Sequence, residues 1–208
     1  MTRVKYPHTM HLQFSPGVHR DDKLIESMDR FVGREVVVTE KMDGENSTLY
    51  ADKYHARSLD SRHHPSRDWL KRFHGEIAYL IPHRIRICGE NVYATHSIEY
   101  TDLLSYFYGF SAWRDDVALS WDDTLELFKN LSIVPAPELY RGPYDLGALV
   151  NLAVNLDTVH HEGFVVRVVD EVPLNDFDKL VAKWVRPGHV QTDEFWMHKE
   201  VVPNKLRS

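Results

Sequence analysis

The chain has 208 residues, 43% of them hydrophobic, which is enough for one sizeable core and argues against a disordered tail protein. Its net charge of −6 excludes a protein that coats nucleic acid indiscriminately, because such affinity needs many phosphate contacts. No run approaches the roughly 18 apolar residues of a membrane span, the N-terminus lacks the apolar core of a signal peptide, and Cys88 is the single cysteine, so the composition reads as a soluble, cytoplasmic, single-domain chain.

In chain order, apolar residues at Leu24, Ile25 and Met28 predict a helix over Asp21–Phe31, stopped by Gly33. Two strands follow, Arg34–Lys41 with the β-branched run "EVVVT" and Glu45–Ala51, and the Asp43-Gly44 dipeptide between them predicts a hairpin. Lys53–Pro65 reads as a basic loop or short strand. A helix is predicted over Ser66–Leu80 with Ser66 as N-cap.

Strands are expected at Arg84–Val92 and Leu103–Trp113, which are rich in β-branched and aromatic residues. "SWDDTLELFKNL", Ser120–Leu131, reads as a capped amphipathic helix and Tyr144–Asn155 as another. Strands at Gly163–Val169 and Leu180–Arg186 lead into the polar aromatic tail "TDEFWMHKEVVPNKL", for which a helix packed across the sheet is the ordinary expectation. Strands without regular helical alternation predict an α+β fold with largely antiparallel sheets flanked by helices.

Charge is unevenly spread. Between Lys53 and Arg72 there are six Lys or Arg and two acids, a local balance of +4; between Glu99 and Glu126 there are seven acids and one arginine, a balance of −6. One face could hold a phosphate chain, or both could simply be solvated.

Chemistry centres on "EKMDGEN", Glu40–Asn46. A lysine serves as a covalent nucleophile only when neutral, so Lys41 would need its pKa lowered from about 10.4. Alone, a lysine before Asp-Gly reads as a hairpin turn with a flanking lysine. Its company is more telling. In "CGENV", Glu90 shares strand parity with Arg84, Arg86 and Cys88, while Ile85 and Ile87 face the other way. In "HEGFVVRVV", Glu162 opens an apolar strand. In "KLVAKWVRPGH", Lys183 shares a face with Val181 and Val185, a costly burial unless an anion meets it.

Together, "KMDG", "YHARSLDSR" with Arg57, "CGENV", "EGFVVR" and "VAKWVR" resemble, in order, the five elements of the covalent nucleotidyltransferases, which include ATP-dependent RNA and DNA ligases and capping guanylyltransferases. The asparagine two residues after the glycine, Asn46, is most similar to the RNA ligases. The resemblance implies a ligase-type nucleotidyltransferase domain, unrelated to ATP-grasp, spanning residues 1–208. It implies that Lys41 attacks the α-phosphate of ATP to form lysyl-AMP, that AMP passes to a 5′-phosphate RNA end, and that a 3′-hydroxyl displaces it.

In the same terms, Lys183 and Arg57 would hold phosphate oxygens, Asn46 would sit near the phosphates, and Glu90 would accept the ribose hydroxyls. Glu162 would help place Mg2+, or Mn2+ in its stead. Glu40 would touch the adenine or organise the metal, and Phe110, with Phe107 as the other candidate, would stack on the base unless it is a core aromatic. Two features depart from the family pattern. Val185 stands where a second lysine is common, leaving Arg186, on the opposite parity, to supply charge, and Ser111 stands where related ligases carry aspartate. About twenty residues follow the last element, too few for the C-terminal domain that many ligases use as a clamp, so a clamp protein or an end-repair enzyme is a conceivable partner. A DNA nick ligase, a GTP-using capping enzyme and a non-catalytic RNA-end-binding module are the competing readings. The thirteen histidines include the neighbours His63-His64 and His160-His161, whose spacing suits neither a strand face nor a helix face and so argues against a dedicated histidine metal site.

Overall fold

The computed structural model describes residues 2–60, 63–188 and 200–207. In chain order the strands are β1 (Met10–His11), β2 (Glu35–Glu40), β3 (Glu45–Leu49), β4 (Tyr54–Ala56), β5 (Ile85–Asn91), β6 (Phe107–Arg114), β7 (Val117–Ala118), β8 (Val134–Pro135), β9 (Glu138–Pro143), β10 (Gly163–Val168), β11 (Val172–Pro173) and β12 (Val181–Val185). The α-helices are α1 (Asp68–Ile77), α2 (Trp121–Asn130), α3 (Leu146–Asn155) and the single turn α4 (Phe177–Leu180). The strands form two sheets. One has the order β1-β12-β10-β2-β9, and the other β11-β7-β6-β5-β3-β4 with β8 beside β6. All pairings are antiparallel except β1 with β12 and β6 with β8, as expected for the α+β class.

The main core lies between the sheets. Val36 and Val38 of β2 and Phe164 and Val166 of β10 meet Cys88 of β5 and Trp113 of β6 there. The outer face of the second sheet carries Leu49, Ile85, Ile87 and Phe107, covered by Leu70 and Ile77 of α1 and Phe128 of α2. The parity expected for β5 therefore holds, with Ile85 and Ile87 outward and Arg86 and Cys88 inward, Arg86 lying 4.5 Å over the Trp113 ring.

Several expectations are corrected. The Asp43-Gly44 hairpin does not form: β2 belongs to the first sheet and β3 to the second, so residues 41–44 carry the chain across from one to the other. Gly44 is needed for close approach, since a Cβ there would collide with the Asn91 carbonyl oxygen. Asp43 does not turn a hairpin either; its Oδ2 accepts hydrogen bonds from Ser97 N, Ser97 Oγ and Ile98 N at 2.7–2.8 Å.

Residues 21–28 are not helical, and only Asp29–Phe31 form a 3-10 turn. The His11 amide donates to the Lys23 carbonyl and the Ile25 amide to the His11 carbonyl, so this segment is drawn out beside β1 and its backbone groups are committed before a helix can use them. Ser66 sits inside the 3-10 turn Pro65–Arg67 ahead of α1, and His64 caps that turn by accepting from the Ser66 amide at 3.3 Å. Ser120 does cap α2, accepting from Asp123 N at 3.1 Å, and Asp145 caps α3 through Gly147 N and Ala148 N.

The expected strand from Leu103 begins only at Phe107. The tail helix falls partly on residues 189–199, outside the described residues, while residues 200–207 run extended and bridge Ala94 to Pro203 and Leu103 to Leu206. Among the described residues, no helix is long and apolar enough to cross a membrane.

Candidate active site

A cleft opens at one end of the space between the sheets, and both sheets build its walls. β2 delivers Thr39 and Glu40 and then Lys41, β10 delivers Val165, and β12 delivers Lys183; from the other side come Asn46 of β3, Arg57 just after β4, Glu90 of β5 and Phe110 and Ser111 of β6. Of the nine residues singled out in the sequence, seven (Glu40, Lys41, Asn46, Arg57, Glu90, Phe110 and Lys183) therefore line one cavity.

Glu162 stands behind Lys41. It is fully buried, and its Oε2 accepts from Lys41 Nζ at 2.6 Å. Gly163 allows this, because its carbonyl accepts the Lys41 amide at 2.9 Å while a Cβ on it would strike the Trp184 carbonyl. Arg186 is outside the cleft lining; its Nη1 donates to the Thr158 carbonyl and its Nη2 to Ser97 Oγ.

A bulge separates the two aromatic candidates. Cys88 pairs with Ser111 and Gly89 with Gly109, so Phe110 is the extra residue on β6. Two consecutive side chains, Phe110 and Ser111, consequently face the cleft, whereas Phe107 lies fully buried in the outer core. Phe110 is braced edge-on by Tyr6, with ring centroids 5.1 Å apart.

The charges are strongly coupled. Burial works to lower the pKa of Lys41, but the attraction of Glu162, Glu90 and Asp43 outweighs it and holds the ammonium above its ordinary range. That reverses the sequence expectation. Burial pushes Glu90 up to about 8, with Glu162 and Asp43 adding to the push and Lys41 opposing it. Burial brings Lys183 down to about 8, assisted by Lys41 and Arg57. Two buried-end lysines and an arginine thus converge on one cavity, an arrangement suited to a polyanion.

Several contributors gave no sequence signal. Tyr6, Pro7, His8 and Thr9 close one side of the cleft. His161 Nδ1 lies 2.9 Å from Glu40 Oε1 and anchors that carboxylate, and Asp22 lies 3.9 Å from Lys183 Nζ and 3.3 Å from His11 Nε2. The contacts of His161 with Glu40 and of Asp22 with Lys183 do not follow from sequence spacing, because each joins segments far apart along the sequence.

Among the described residues, no group of three His, Cys, Asp or Glu side chains is placed to hold a metal. Glu162 and Glu90 flanking Lys41 still fit Mg2+ or Mn2+, because such ions are commonly held by one or two carboxylates and complete their shell with substrate phosphates and water.

A family model described as RNA ligase matches residues 34–185. Among curated proteins, none matches the sequence. Solved structures that share the fold include three of different origin. An archaeal ATP-dependent RNA ligase has a TM-score of 0.59 at 14% identity, over 88% of this chain and 48% of its own. A putative ATP-dependent DNA ligase from Aquifex aeolicus has 0.57 at 17%, over 88% and 50%. A variant of the Naegleria gruberi RNA ligase, solved with ATP and Mn, has 0.55 at 18%, over 88% and 58%. The chain thus spans about half of the length of these proteins, and its match to them is a match of fold. With the family model covering most of the chain, from before β2 to the end of β12, and with Glu40, Lys41, Asn46, Arg57, Glu90, Phe110 and Lys183 of the cleft inside that span, the chain belongs to the RNA ligase family.

Proposed function

We propose that the chain is an ATP-dependent RNA ligase working through a lysyl-AMP intermediate. The observation that carries this reading is Lys41 at the end of β2, inside a two-sheet cleft, 2.6 Å from buried Glu162 and facing Lys183 and Arg57. In the first step the neutral Lys41 amine attacks the α-phosphorus of ATP. A P–N bond forms, the P–O bond to pyrophosphate breaks, and the amine loses a proton. An oxygen of the RNA 5′-phosphate then attacks the same phosphorus, breaking the P–N bond and returning the lysine as leaving group. Finally the 3′-hydroxyl attacks the 5′-phosphorus, giving up its proton as AMP departs.

Each residue has a task set by its place. Lys183 and Arg57 hold phosphate oxygens, which costs little here because burial and mutual repulsion leave Lys183 in want of an anion. Phe110 stacks on the adenine, and Glu40, anchored by His161, faces its amino edge. Glu90 meets the ribose hydroxyls and Asn46, its direct cross-strand neighbour, meets a phosphate oxygen. A divalent cation at Glu162 would neutralise phosphate charge and favour the uncharged amine; the ATP and Mn of the Naegleria gruberi variant support that cofactor pair. RNA carrying 5′-phosphate and 3′-hydroxyl ends is the proposed substrate and the cytoplasm the proposed compartment; Arg186 is proposed to brace the cleft wall through Ser97.

Incubation of wild type and Lys41→Ala with magnesium and α-phosphate-labelled ATP or GTP, followed by a denaturing gel, tests the proposal. Label retained from ATP by wild type alone is expected, and retention from neither nucleotide sinks the covalent mechanism. Paired nicks in RNA and DNA then decide the strand preference, a needed arm because a putative DNA ligase shares the fold.

A further inference from the structure

A second cleft lies along the edge strand β4, away from the lysine. Its lining includes Arg3, Tyr54, Ala56, His63, Arg67 and Lys71, and every charged side chain in it is basic. The fates of those charges differ. Arg67 is committed to the buried Glu45, to which its Nε donates at 2.6 Å, and His63 shares a hydrogen bond of 2.8 Å with Asp68. Arg3 is exposed and donates to the Leu59 carbonyl oxygen at 3.1 Å, with no carboxylate against it among the described residues. Lys71 is exposed on α1 and has no acidic partner among the described residues.

Two uncompensated cations facing one cavity repel each other, so the arrangement is at its best with an anion between them. The bulk charge of the protein does not explain it: the chain carries −6 in all, yet +4 between Lys53 and Arg72. Connectivity supplies the other half of the argument. Ala56, the last residue of β4, lines this cleft, and the next residue, Arg57, lines the lysine cleft. The two cavities therefore lie on either side of one stretch of backbone at the end of β4.

We propose that this second cleft holds the phosphodiester backbone of the RNA strand whose end enters the lysine cleft, with Arg3 and Lys71 each meeting a phosphate and Arg57 at the junction. It rests on the ligase reading. Half-buried Tyr54 offers an apolar flank for a sugar or base, a usual companion of basic side chains in single-strand grooves. The division of labour is that the first cleft takes the nucleotide and the reacting end, and the second sets the direction in which the strand leaves.

Fluorescence anisotropy of a 5′-phosphorylated single-stranded RNA, titrated at several salt concentrations, tests the proposal with wild type, Arg3→Gln, Lys71→Gln, the double variant, and Lys129→Gln on α2 as a control outside both clefts. Each single variant is expected to reduce the slope of log K against log salt by about 0.7, and the double by about 1.4. A double variant with the wild-type slope overturns the proposal. So does an equal loss in Lys129→Gln, which would show a diffuse field rather than a site. Covalent labelling by ATP is scored on the same samples; its loss in the double variant would mean that these residues serve the first cleft or the fold, and would also overturn the proposal. A wild type that binds RNA with these slope changes but never retains label would leave the second cleft standing while sinking the ligase reading.

Discussion

The Lys41 ammonium rests against the fully buried Glu162 side chain, whose attraction helps to hold the lysine in its charged form. An opposite charge within hydrogen-bond reach typically moves a pKa by about 1–3. Glu162→Gln removes that charge while keeping the shape, so Lys41 should lose its proton at lower pH. Acylation of Lys41 followed by mass spectrometry across pH 7–11 reads this directly: the pH of half-maximal reaction should fall in the variant, and an unchanged profile would show that Glu90 and Asp43 alone set the lysine. ATP labelling should nevertheless drop by about 10–100-fold, because a group that organises the charge around the nucleophile has gone.

At this scale the sequence was informative where chemistry dictates identity, since Lys41, Glu90, Glu162 and Lys183 each sit in a short recognisable string. It was silent on His161 and Asp22, whose value lies in contacts of 2.9 and 3.9 Å with residues more than a hundred positions away.

Elements were legible when their signal was local. α2 and α3 follow from a capping residue and apolar spacing, and β5 and β10 from their apolar runs. Asp43-Gly44 misled because the same dipeptide serves a different purpose: Gly44 admits the Asn91 carbonyl and Asp43 ties down residues 97–98. Segment 21–28 misled because pairing beside β1 outbid a weak helical pattern. Phe110 was ambiguous because a bulge, invisible to a period of two, decides which aromatic faces the cleft. The C-terminal strap shows the same dependence on distant partners. Buried Asn204 donates to the Val92 carbonyl at 2.8 Å and accepts from Thr95 Oγ1 and the Tyr100 amide at 2.9 Å. Asn204→Ala strands these groups at a cost of about 1–3 kcal/mol, which thermal denaturation should show as a fall in Tm of about 2–4 °C per kcal/mol in a chain of this size. A variant melting with wild type would show that the strap is held by its other contacts.

For the whole molecule, the decisive feature is that the lysine cleft belongs to neither sheet alone. Lys41, Lys183 and Val165 come from the β2, β10 and β12 side, and Asn46, Glu90 and Phe110 from the β3, β5 and β6 side, with residues 41–44 as the crossing between them. An anionic ligand there touches both sheets at the open end of the core that joins them, and it relieves the repulsion of Lys183 by Lys41 and Arg57. Binding to the folded state alone stabilises it by about 2.7 kcal/mol at a hundred times the dissociation constant, or roughly 5–10 °C in Tm at this size. An ATP analogue with a methylene group between the α- and β-phosphorus atoms isolates this effect, because it blocks the proposed lysyl-AMP step. Hydrogen exchange with the analogue bound should slow in β10 and β12 and, together with them, in β3 and β5. Protection confined to one sheet would mean that the nucleotide rests on a wall instead of bridging the cleft, and the assignment of Phe110 and Glu90 on one side, or of Lys183 on the other, would fall with it.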